Sequence, residues 1–344
     1  MTNVKPDFSI FDNQKPDEGT AITFDAIDTE KKQLLNKSPS QVGLFRVRTA
    51  NQCINDAKTQ PIPRKLYDDL LLEEEITILF ADTGLGKSIF AVQMANEISK
   101  TDKVLYIDLE LSDKQFQGRY SEEYQSEYVF KENLIRPDFI RPFRVPNGVD
   151  YDTYFIDSLK ELVISTGARI VIIDNMTKLV SSDTDNARTA KPLMDKLQDL
   201  KFEYNLTLLL LEHNRKTDES RPISLNDLQG SKHKANFADA VFSIGKSAKD
   251  KNLRYIKQLK VRSGDVVYDS EHVPIYEKVK ENSFLHLKHI GFDTELNHLK
   301  QQSENDKAEL EANIKRLKTE GKSYREIADE LHTSKSTVER ILKK

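Results

Sequence analysis

The feature that most constrains the fold is a glycine-containing run between an apolar stretch and an amphipathic one. It reads Ala-Asp-Thr-Gly-Leu-Gly-Lys-Ser at residues 81–88, directly after the apolar run Ile76–Phe80. In such a setting, backbone N–H groups and a helix N-terminus point at phosphates, so the pattern predicts a strand, a phosphate-binding loop and a helix. Lys87 would reach the β- and γ-phosphates, and the Ser88 hydroxyl would bind Mg²⁺. The expected nucleotide contacts are Asp82, Thr83, Gly84, Leu85, Gly86, Lys87, Ser88 and Ile89.

Length and composition narrow the class of protein. A chain of 344 residues can form one large α/β domain and one small domain. Hydrophobic content of 38% and charged content of 31% are typical of a globular protein. No apolar run reaches the roughly 18 residues of a membrane helix, and no secretory signal is present. With a single cysteine, Cys53, we expect a cytoplasmic protein without a membrane partner.

The chain divides into four predicted segments. Residues 1–40 are polar and form an arm, 41–291 form the main domain, 292–311 form a charged linker, and 312–344 form a small helical domain. Short apolar runs alternate with amphipathic stretches from Glu75 onward, which predicts an α/β fold with a mainly parallel sheet flanked by helices. The predicted strands are Ile76–Phe80, Val104–Asp108, Ile170–Asp174, Thr207–Leu211, Ala240–Ile244 and Tyr255–Val261, and the predicted helices are Ser88–Lys100, Asp152–Thr166 and Ala190–Tyr204.

Polar side chains follow several of these strands. Asp174 ends a buried strand and is expected on the Mg²⁺ side of the site, together with Ser88. Glu110 follows the strand after the phosphate loop, where parallel sheets gather their ligands, and is our candidate for orienting or deprotonating water. Asp108 and Glu212 are rival carboxylates for this role. His213 would lie near the γ-phosphate, although a plain loop histidine is the alternative.

These motifs, taken in order, resemble the RecA-like ATPases, and within them the DnaB type of hexameric helicase with its plasmid-encoded relatives. The resemblance covers about residues 75–265 and rests on four stretches beyond the phosphate loop. They are Asp108–Ser112 with Arg119, Ser224–Ser231, Phe237–Ala240 and Lys260–Gly264. The resemblance implies ATP and Mg²⁺ as ligands and a homo-oligomer, with a hexamer as the expected form. The chain lacks a recognisable N-terminal domain of the DnaB kind, which argues against a chromosomal replicative helicase.

Lys260 and Arg262 match a family pair that reaches the γ-phosphate bound by the neighbouring subunit. Such cations neutralise charge that develops on the transferred phosphoryl group, and supplying them from a neighbour makes hydrolysis depend on assembly. A solvated, charged strand edge is the alternative interpretation of this pair.

A basic stretch follows His213. In RecA-like proteins the corresponding central loops face the ring axis and hold single-stranded DNA, and phosphate contacts would give binding that ignores sequence and weakens with salt. The alternative is a solvated loop. The expected DNA contacts here are Arg215, Lys216, Lys232 and Lys234.

The last thirty residues resemble the helix-turn-helix of resolvases. Ser323 and Glu326 form a predicted capping box, Ser334 a second cap, and residues 312–344 carry nine Lys/Arg against five Asp/Glu on a chain of net charge −4. The last helix would enter the major groove of duplex DNA, although a bundle for protein contacts is the alternative. Its expected DNA contacts are Ser334, Lys335, Ser336, Thr337 and Arg340.

The sequence therefore predicts an ATP-hydrolysing, oligomeric, DNA-binding protein with a RecA-like core. The leading hypothesis is a helicase-like or translocase-like motor from a plasmid, phage or mobile element. The alternative is an ATP-switched DNA-binding regulator or assembly factor without unwinding activity, which the appended helix-turn-helix favours. A kinase on the same core is a weaker third possibility, because no acceptor site is evident.

Overall fold

The computed structural model describes residues 40–140, 144–176, 179, 187–214, 218–229, 231–301, 304–331 and 333–343. The predicted N-terminal arm lies outside these residues, apart from Ser40. The chain divides into two units between Ile62 and Pro63. In the first unit, β1 (Ser40–Val42) pairs antiparallel with β2 (Phe45–Val47) and is followed by α1 (Ala50–Ala57).

The second unit holds the main sheet. Its strands are β3 (Lys65–Tyr67), β4 (Leu71–Leu72), β5 (Ile76–Ala81), β6 (Val104–Asp108), β7 (Ser121–Glu122), β8 (Ser126–Glu127), β9 (Leu134–Ile135), β10 (Ile170–Asp174), β11 (Thr207–His213), β12 (Ala240–Lys246), β13 (Leu253–Val261), β14 (Val273–Glu281) and β15 (Phe284–Asp293). Its helices are α2 (Lys87–Ile98), α3 (Asp113–Arg119), α4 (Tyr151–Thr166), α5 (Ala187–Tyr204), α6 (Ser231–Phe237), α7 (Glu304–Thr319), α8 (Tyr324–Glu330) and α9 (Lys335–Leu342).

Nine of the described strands form one sheet, in the order β9-β6-β10-β11-β5-β12-β13-β14-β15. The first six strands in this order, β9, β6, β10, β11, β5 and β12, run parallel to one another. The other three, β13, β14 and β15, extend the sheet with antiparallel pairings. All parallel strands therefore present their carboxyl ends at one edge, which we call the carboxyl edge; the other is the amino edge. The predicted α/β class, a mainly parallel sheet flanked by helices, is confirmed.

Both faces of the sheet are covered, as its continuous apolar strands require. On one face, Ile78 and Phe80 of β5 belong to a core with Leu159 of α4 and Leu197 of α5. On the other face, α2 packs against the sheet, and Phe90 of this helix is completely buried. Burial on both sides explains why β5, β6 and β10 have no polar positions before their last residues other than Thr77 and Tyr106.

The six predicted strands and three predicted helices of the main domain are all present, with ends that differ by a few residues. The hairpin β14–β15 was not predicted, because its alternation of charged and apolar residues is typical of a half-exposed surface. Glu295 and His298, which follow it, are buried, and Lys257 binds Glu295 at 2.6 Å. The packed domain thus extends beyond residue 291, where the sequence predicted this domain to end.

The C-terminal segment is all helical, as predicted. Ile314, Leu317, Ile327 and Val338 from α7, α8 and α9 form its core. The predicted capping box at Ser323 is present, with both of its hydrogen bonds. No helix among the described residues is long and apolar enough to cross a membrane.

Candidate functional site: a phosphate loop with a carboxylate at the sheet edge

The phosphate loop lies at the carboxyl edge, between β5 and α2. Gly84 and Gly86 have φ angles of 80° and 100°, which glycine adopts at little cost. Gly86 is the N-cap of α2, and it has no side chain to cap the helix, so the first backbone N–H groups remain available to an anion. A cavity of about 280 Å³ adjoins residues 82–85 of the loop. The loop therefore presents backbone N–H groups at the carboxyl edge, next to a cavity.

Lys87 is the first residue of α2 and is only 6% exposed. Its Nζ donates to the carbonyl oxygen of Ala81 at 2.6 Å and lies 3.4 Å from Nδ1 of His213. Burial lowers the pKa of Lys87, while the charges of Asp174 and Glu110 oppose this shift. A phosphate arriving at this position would compensate the buried cation.

Asp174 ends β10, which β11 alone separates from β5, and is 1% exposed. Its Oδ2 accepts a hydrogen bond of 2.6 Å from the hydroxyl of Tyr106, whereas its Oδ1 is buried and has no hydrogen-bond partner among the described residues. Burial raises the pKa of Asp174 to about 6, although the Tyr106 and Ser88 hydroxyls favour the charged form. An unsatisfied carboxylate oxygen in a buried position suits a water bound to Mg²⁺.

The oxygen atoms of Ser88 and Asp174 also fit Mg²⁺, provided that a nucleotide supplies further ligands. Among the described residues, no group of three or more His, Cys, Asp or Glu side chains is arranged to hold a metal ion. Mg²⁺ with phosphates usually takes one or two protein oxygens and fills its other positions with phosphate and water. Ser88 and Asp174 would supply these oxygens, so the fit requires a bound triphosphate.

Glu110 follows β6 and meets two polar side chains. Its Oε1 accepts from Nδ2 of Asn175 at 2.5 Å and lies 3.7 Å from Nε2 of His213. Asn175 and His213 are themselves 2.9 Å apart, which closes a triangle. The hydrogen bond with His213 is the main cause of the lowered pKa of Glu110, and partial burial of the Glu110 carboxylate opposes this shift. The structure thus brings Glu110, His213 and Lys87 together, as the sequence predicted.

The rival carboxylates are engaged elsewhere. Asp108 accepts from the backbone N–H groups of Glu110 and Leu111 and from the guanidinium of Arg136, so it holds the turn that carries Glu110. Glu212 is 1% exposed and binds Lys234 at 2.6 Å. Glu110 is the carboxylate with a free approach from the site, since its side chain is 30% exposed.

Lys234 requires a correction, because the sequence placed it among the DNA contacts. The structure buries it at 2% exposure against Glu212, and its ammonium group cannot reach DNA from there. Arg215 and Lys216 lie outside the described residues, as does the side chain of Lys232. Arg221, in the same region, pairs with Asp227.

Lys260 and Arg262 lie at the amino edge. Ala240 pairs with both Thr77 and Val261, whereas the phosphate loop follows Ala81, four residues or about 13 Å along β5. Lys260 donates to the carbonyl oxygens of Ala235 and Ala238, both at 2.7 Å. The pair is therefore remote from the phosphate loop of its own chain.

At the C-terminus, Ser334 caps α9 by accepting from the backbone N–H of Thr337 at 3.1 Å. Lys335, Ser336 and Arg340 are exposed, and Thr337 is half-buried. The predicted DNA contacts thus lie on the accessible part of the last helix.

Sequence reasoning missed Tyr106, Asn175 and Arg136. Asn175 directly follows Asp174, so a second polar residue at a strand end was the available signal. Tyr106 is a polar group inside an apolar strand, and buried tyrosine hydroxyls usually have a partner. Arg136 had no signal, because its contacts with Asp108 and Asp113 depend on the tertiary structure.

These features define a P-loop protein with an α/β core and a separate helical domain. The chain matches the AAA domain family over residues 45–219 and the helix-turn-helix domain family over residues 312–344. Because the first match covers more than half of the chain, this protein belongs to the AAA domain family. The resemblance to P-loop ATPases is thereby confirmed.

Two solved structures are similar in fold. One is an ATPase domain that is 17% identical, with a TM-score of 0.47 over 62% of this chain and 85% of that domain. The other is the KaiC-like protein PH0186 from the archaeon Pyrococcus horikoshii OT3, which is 15% identical, with a TM-score of 0.46 over 64% of this chain and 94% of that protein. No curated protein matches the chain.

Proposed function

We propose that this protein is a cytoplasmic, ATP-hydrolysing motor that assembles into a ring and acts on DNA. The observation that carries the proposal is the contact between Glu110, Asn175 and His213 beside Lys87 at the phosphate loop. A buried cation at the phosphates and a carboxylate that can orient water, held by polar side chains, are what phosphoryl transfer to water needs.

Each residue has a distinct role in this proposal. The loop N–H groups and Lys87 hold the β- and γ-phosphates, and Ser88 and Asp174 hold Mg²⁺, which when bound neutralises phosphate charge. Glu110 orients the attacking water and accepts its proton. Asn175 fixes the Glu110 carboxylate, and His213 stands between Lys87 and Glu110, where it responds to the γ-phosphate.

The site becomes complete only on assembly. Lys260 and Arg262 are remote from their own phosphate loop, and we assign them to the γ-phosphate bound by the neighbouring subunit. The central loops then hold single-stranded DNA, and α9 binds duplex DNA through Lys335, Ser336 and Arg340.

The test measures ATP hydrolysis with and without single-stranded DNA, the mass of the protein with ATP, and unwinding of a forked duplex. We expect hydrolysis to rise with DNA, a ring-sized oligomer, and unwinding that Glu110→Gln abolishes. A protein that stays monomeric with ATP, or that hydrolyses ATP equally without DNA, would contradict the motor.

The second candidate is an ATP-switched DNA-binding regulator, and the appended helix-turn-helix domain favours it. In this case nucleotide controls oligomerisation while α9 marks a duplex site. Duplex binding that survives Glu110→Gln, with ATP stabilising the oligomer and no unwinding, would support the regulator over the motor.

A further inference from the structure

Helix α6 contacts residues of two proposed functional regions. One is Glu212, next to His213 in the phosphate site, and the other is the pair Lys260 and Arg262, which is proposed to act on the neighbouring subunit. The helix has seven residues, and a helix of this length extends about 10 Å. Glu212, which Lys234 binds, pairs in register with Phe80 near the carboxyl edge, while Asp239 donates its backbone N–H to the carbonyl oxygen of Ile76 near the amino edge. The helix and its flanking residues therefore connect the two edges of the sheet.

At the carboxyl edge the connection is a buried ion pair. Lys234 Nζ and Glu212 Oε1 are 2.6 Å apart, and the two side chains are 2% and 1% exposed. Burying two charges is expensive, and replacing such a pair by apolar residues is often neutral or stabilising. The pair therefore needs a reason beyond stability. Glu212 directly precedes His213 in β11, so the chain links this ion pair to His213 of the phosphate site.

At the amino edge the connection consists of the two inter-subunit cations. Lys260 donates to the carbonyl oxygens of Ala235, in the last turn of α6, and of Ala238, just after the helix. Arg262 contacts the carbonyl oxygen of Asn236 at 3.5 Å and the carboxylate of Asp239 at 2.6 Å. Both cations are thus held by the end of α6 and the two residues that follow it.

We propose that Lys234 is a positioning residue that couples His213, in the phosphate site of one subunit, to the Lys260 and Arg262 that this subunit presents to its neighbour. The proposal rests on the proposed function, because it requires hydrolysis at a composite site. In this proposal the buried Lys234–Glu212 pair transmits the nucleotide state of one ATP site to the ATP site of the adjacent subunit.

The test is a double-mutant cycle between Lys234→Met and Arg262→Ala, measured as ATP hydrolysis by the full chain in the presence of single-stranded DNA. We expect Lys234→Met alone to lower kcat about tenfold, with KM changed less than about twofold, because coupling is lost while nucleotide contacts stay. The double variant should be no slower than Arg262→Ala alone, because Lys234 acts through the cations. Lys234→Arg, which keeps the ion pair, should recover most of the activity.

A matched control separates coupling from destabilisation. Lys257 forms an equally short buried pair with Glu295, at 2.6 Å, and also donates to the carbonyl oxygen of Ile223, which lies outside α6. Lys257→Met should keep kcat within about twofold, even where it lowers stability as much as Lys234→Met does. If Lys257→Met reduced kcat equally, or if the losses of Lys234→Met and Arg262→Ala multiplied, the coupling role would be overturned.

The proposed inter-subunit mechanism and the coupling role of Lys234 can be contradicted separately. If Arg262→Ala alone kept the wild-type kcat, the inter-subunit mechanism would fail, and this inference with it. If Arg262→Ala abolished hydrolysis while Lys234→Met kept the wild-type kcat, only the coupling role would be lost. Where Lys234→Met does not fold, Glu212→Gln removes the charge but keeps an acceptor for Lys234, and the same cycle applies to it.

Discussion

The two edges of the main sheet differ in the contacts that their polar side chains make. At the carboxyl edge, Lys87, Glu110, Asn175 and His213 already contact one another through their side chains. At the amino edge, the cations Lys260 and Arg262 bind carbonyl and carboxylate groups of their own chain. The proposed functional groups of one edge therefore already contact one another, whereas the cations of the other edge are bound to groups of their own chain.

The energetic cost of the two arrangements also differs. Burial at the carboxyl edge lowers the pKa of Lys87 and raises that of Asp174, so both charges are held there at a cost to stability. Arg262 is 53% exposed, and its buried partner Asp239 keeps a second ion pair, with Lys201 at 3.0 Å, when Arg262 leaves. Arg262 can therefore leave Asp239 for a phosphate at little cost.

The largest effect is expected at the amino edge. Arg262→Ala should lower kcat for ATP hydrolysis about 10⁴-fold, because a cation supplied by a neighbour stabilises the charge of the transition state. ATP binding, measured with a fluorescent analogue, should remain. The control is Arg64→Ala, since Arg64 is equally exposed at 53% and also forms ion pairs. Equal activity of the two variants would show that Arg262 is a solvated strand-edge residue.

Glu110→Gln should lower kcat about 10³-fold, because the amide cannot accept the proton of the attacking water. Mixing the Glu110→Gln variant with the Arg262→Ala variant tests whether the two residues act across a subunit interface. In a randomly mixed ring, about a quarter of the interfaces combine an intact Glu110 with an intact Arg262. Activity should then return to about a quarter of wild type. No recovery on mixing, with both variants still assembling, would mean that the two residues act within one chain.

The sequence predicted the carboxyl edge better than the amino edge, for a physical reason. Parallel strands end together, so Glu110, Asp174 and His213 could be expected near the phosphate loop from their positions after apolar runs. The resting contacts of Lys260 and Arg262 depend on where α6 ends, which no local pattern encodes.

Lys234 shows the same limit in another way. A lysine among basic residues after a strand is typical of an exposed loop, and its burial follows only from the position of Glu212 across the fold. Tertiary pairing overrode the local composition here. The β14–β15 hairpin was missed for the opposite reason, since its half-exposed strands carry too many charges to be distinguished from a loop.

The cost of holding Asp174 at the carboxyl edge predicts a gain in stability on its removal. Its pKa rises from 3.8 to about 6 on folding, so the charged form opposes folding above pH 6 by about 3 kcal/mol. Asp174→Asn should therefore be more stable than wild type at pH 8 without nucleotide or Mg²⁺. As the pH falls through 6 toward 4, wild-type Asp174 becomes protonated and the advantage should disappear.

Urea unfolding of both proteins at pH 8 and pH 4.5 measures this difference, and the other titrating groups cancel between them. An advantage that stayed constant with pH would show that the carboxylate is not strained by burial. Nucleotide binding in the presence of Mg²⁺ should be weaker in Asp174→Asn at pH 8, since the variant lacks the charge that holds the metal.

Tyr106 supports that carboxylate from the neighbouring strand, and its effect should be the smallest. Tyr106→Phe removes the hydroxyl that holds Oδ2, so the carboxylate that we propose as a Mg²⁺ ligand is less firmly fixed. Loss of a hydrogen bond to a metal ligand lowers metal affinity about tenfold or more, and we expect the lower value because the Ser88 hydroxyl remains. Binding of Mn²⁺ to the ADP complex, followed by electron paramagnetic resonance, measures this directly. Tyr67→Phe is the control, because its hydroxyl binds Gln93 instead. Unchanged Mn²⁺ affinity in Tyr106→Phe would mean that burial alone fixes Asp174, and that the carboxyl edge needs no support from β6.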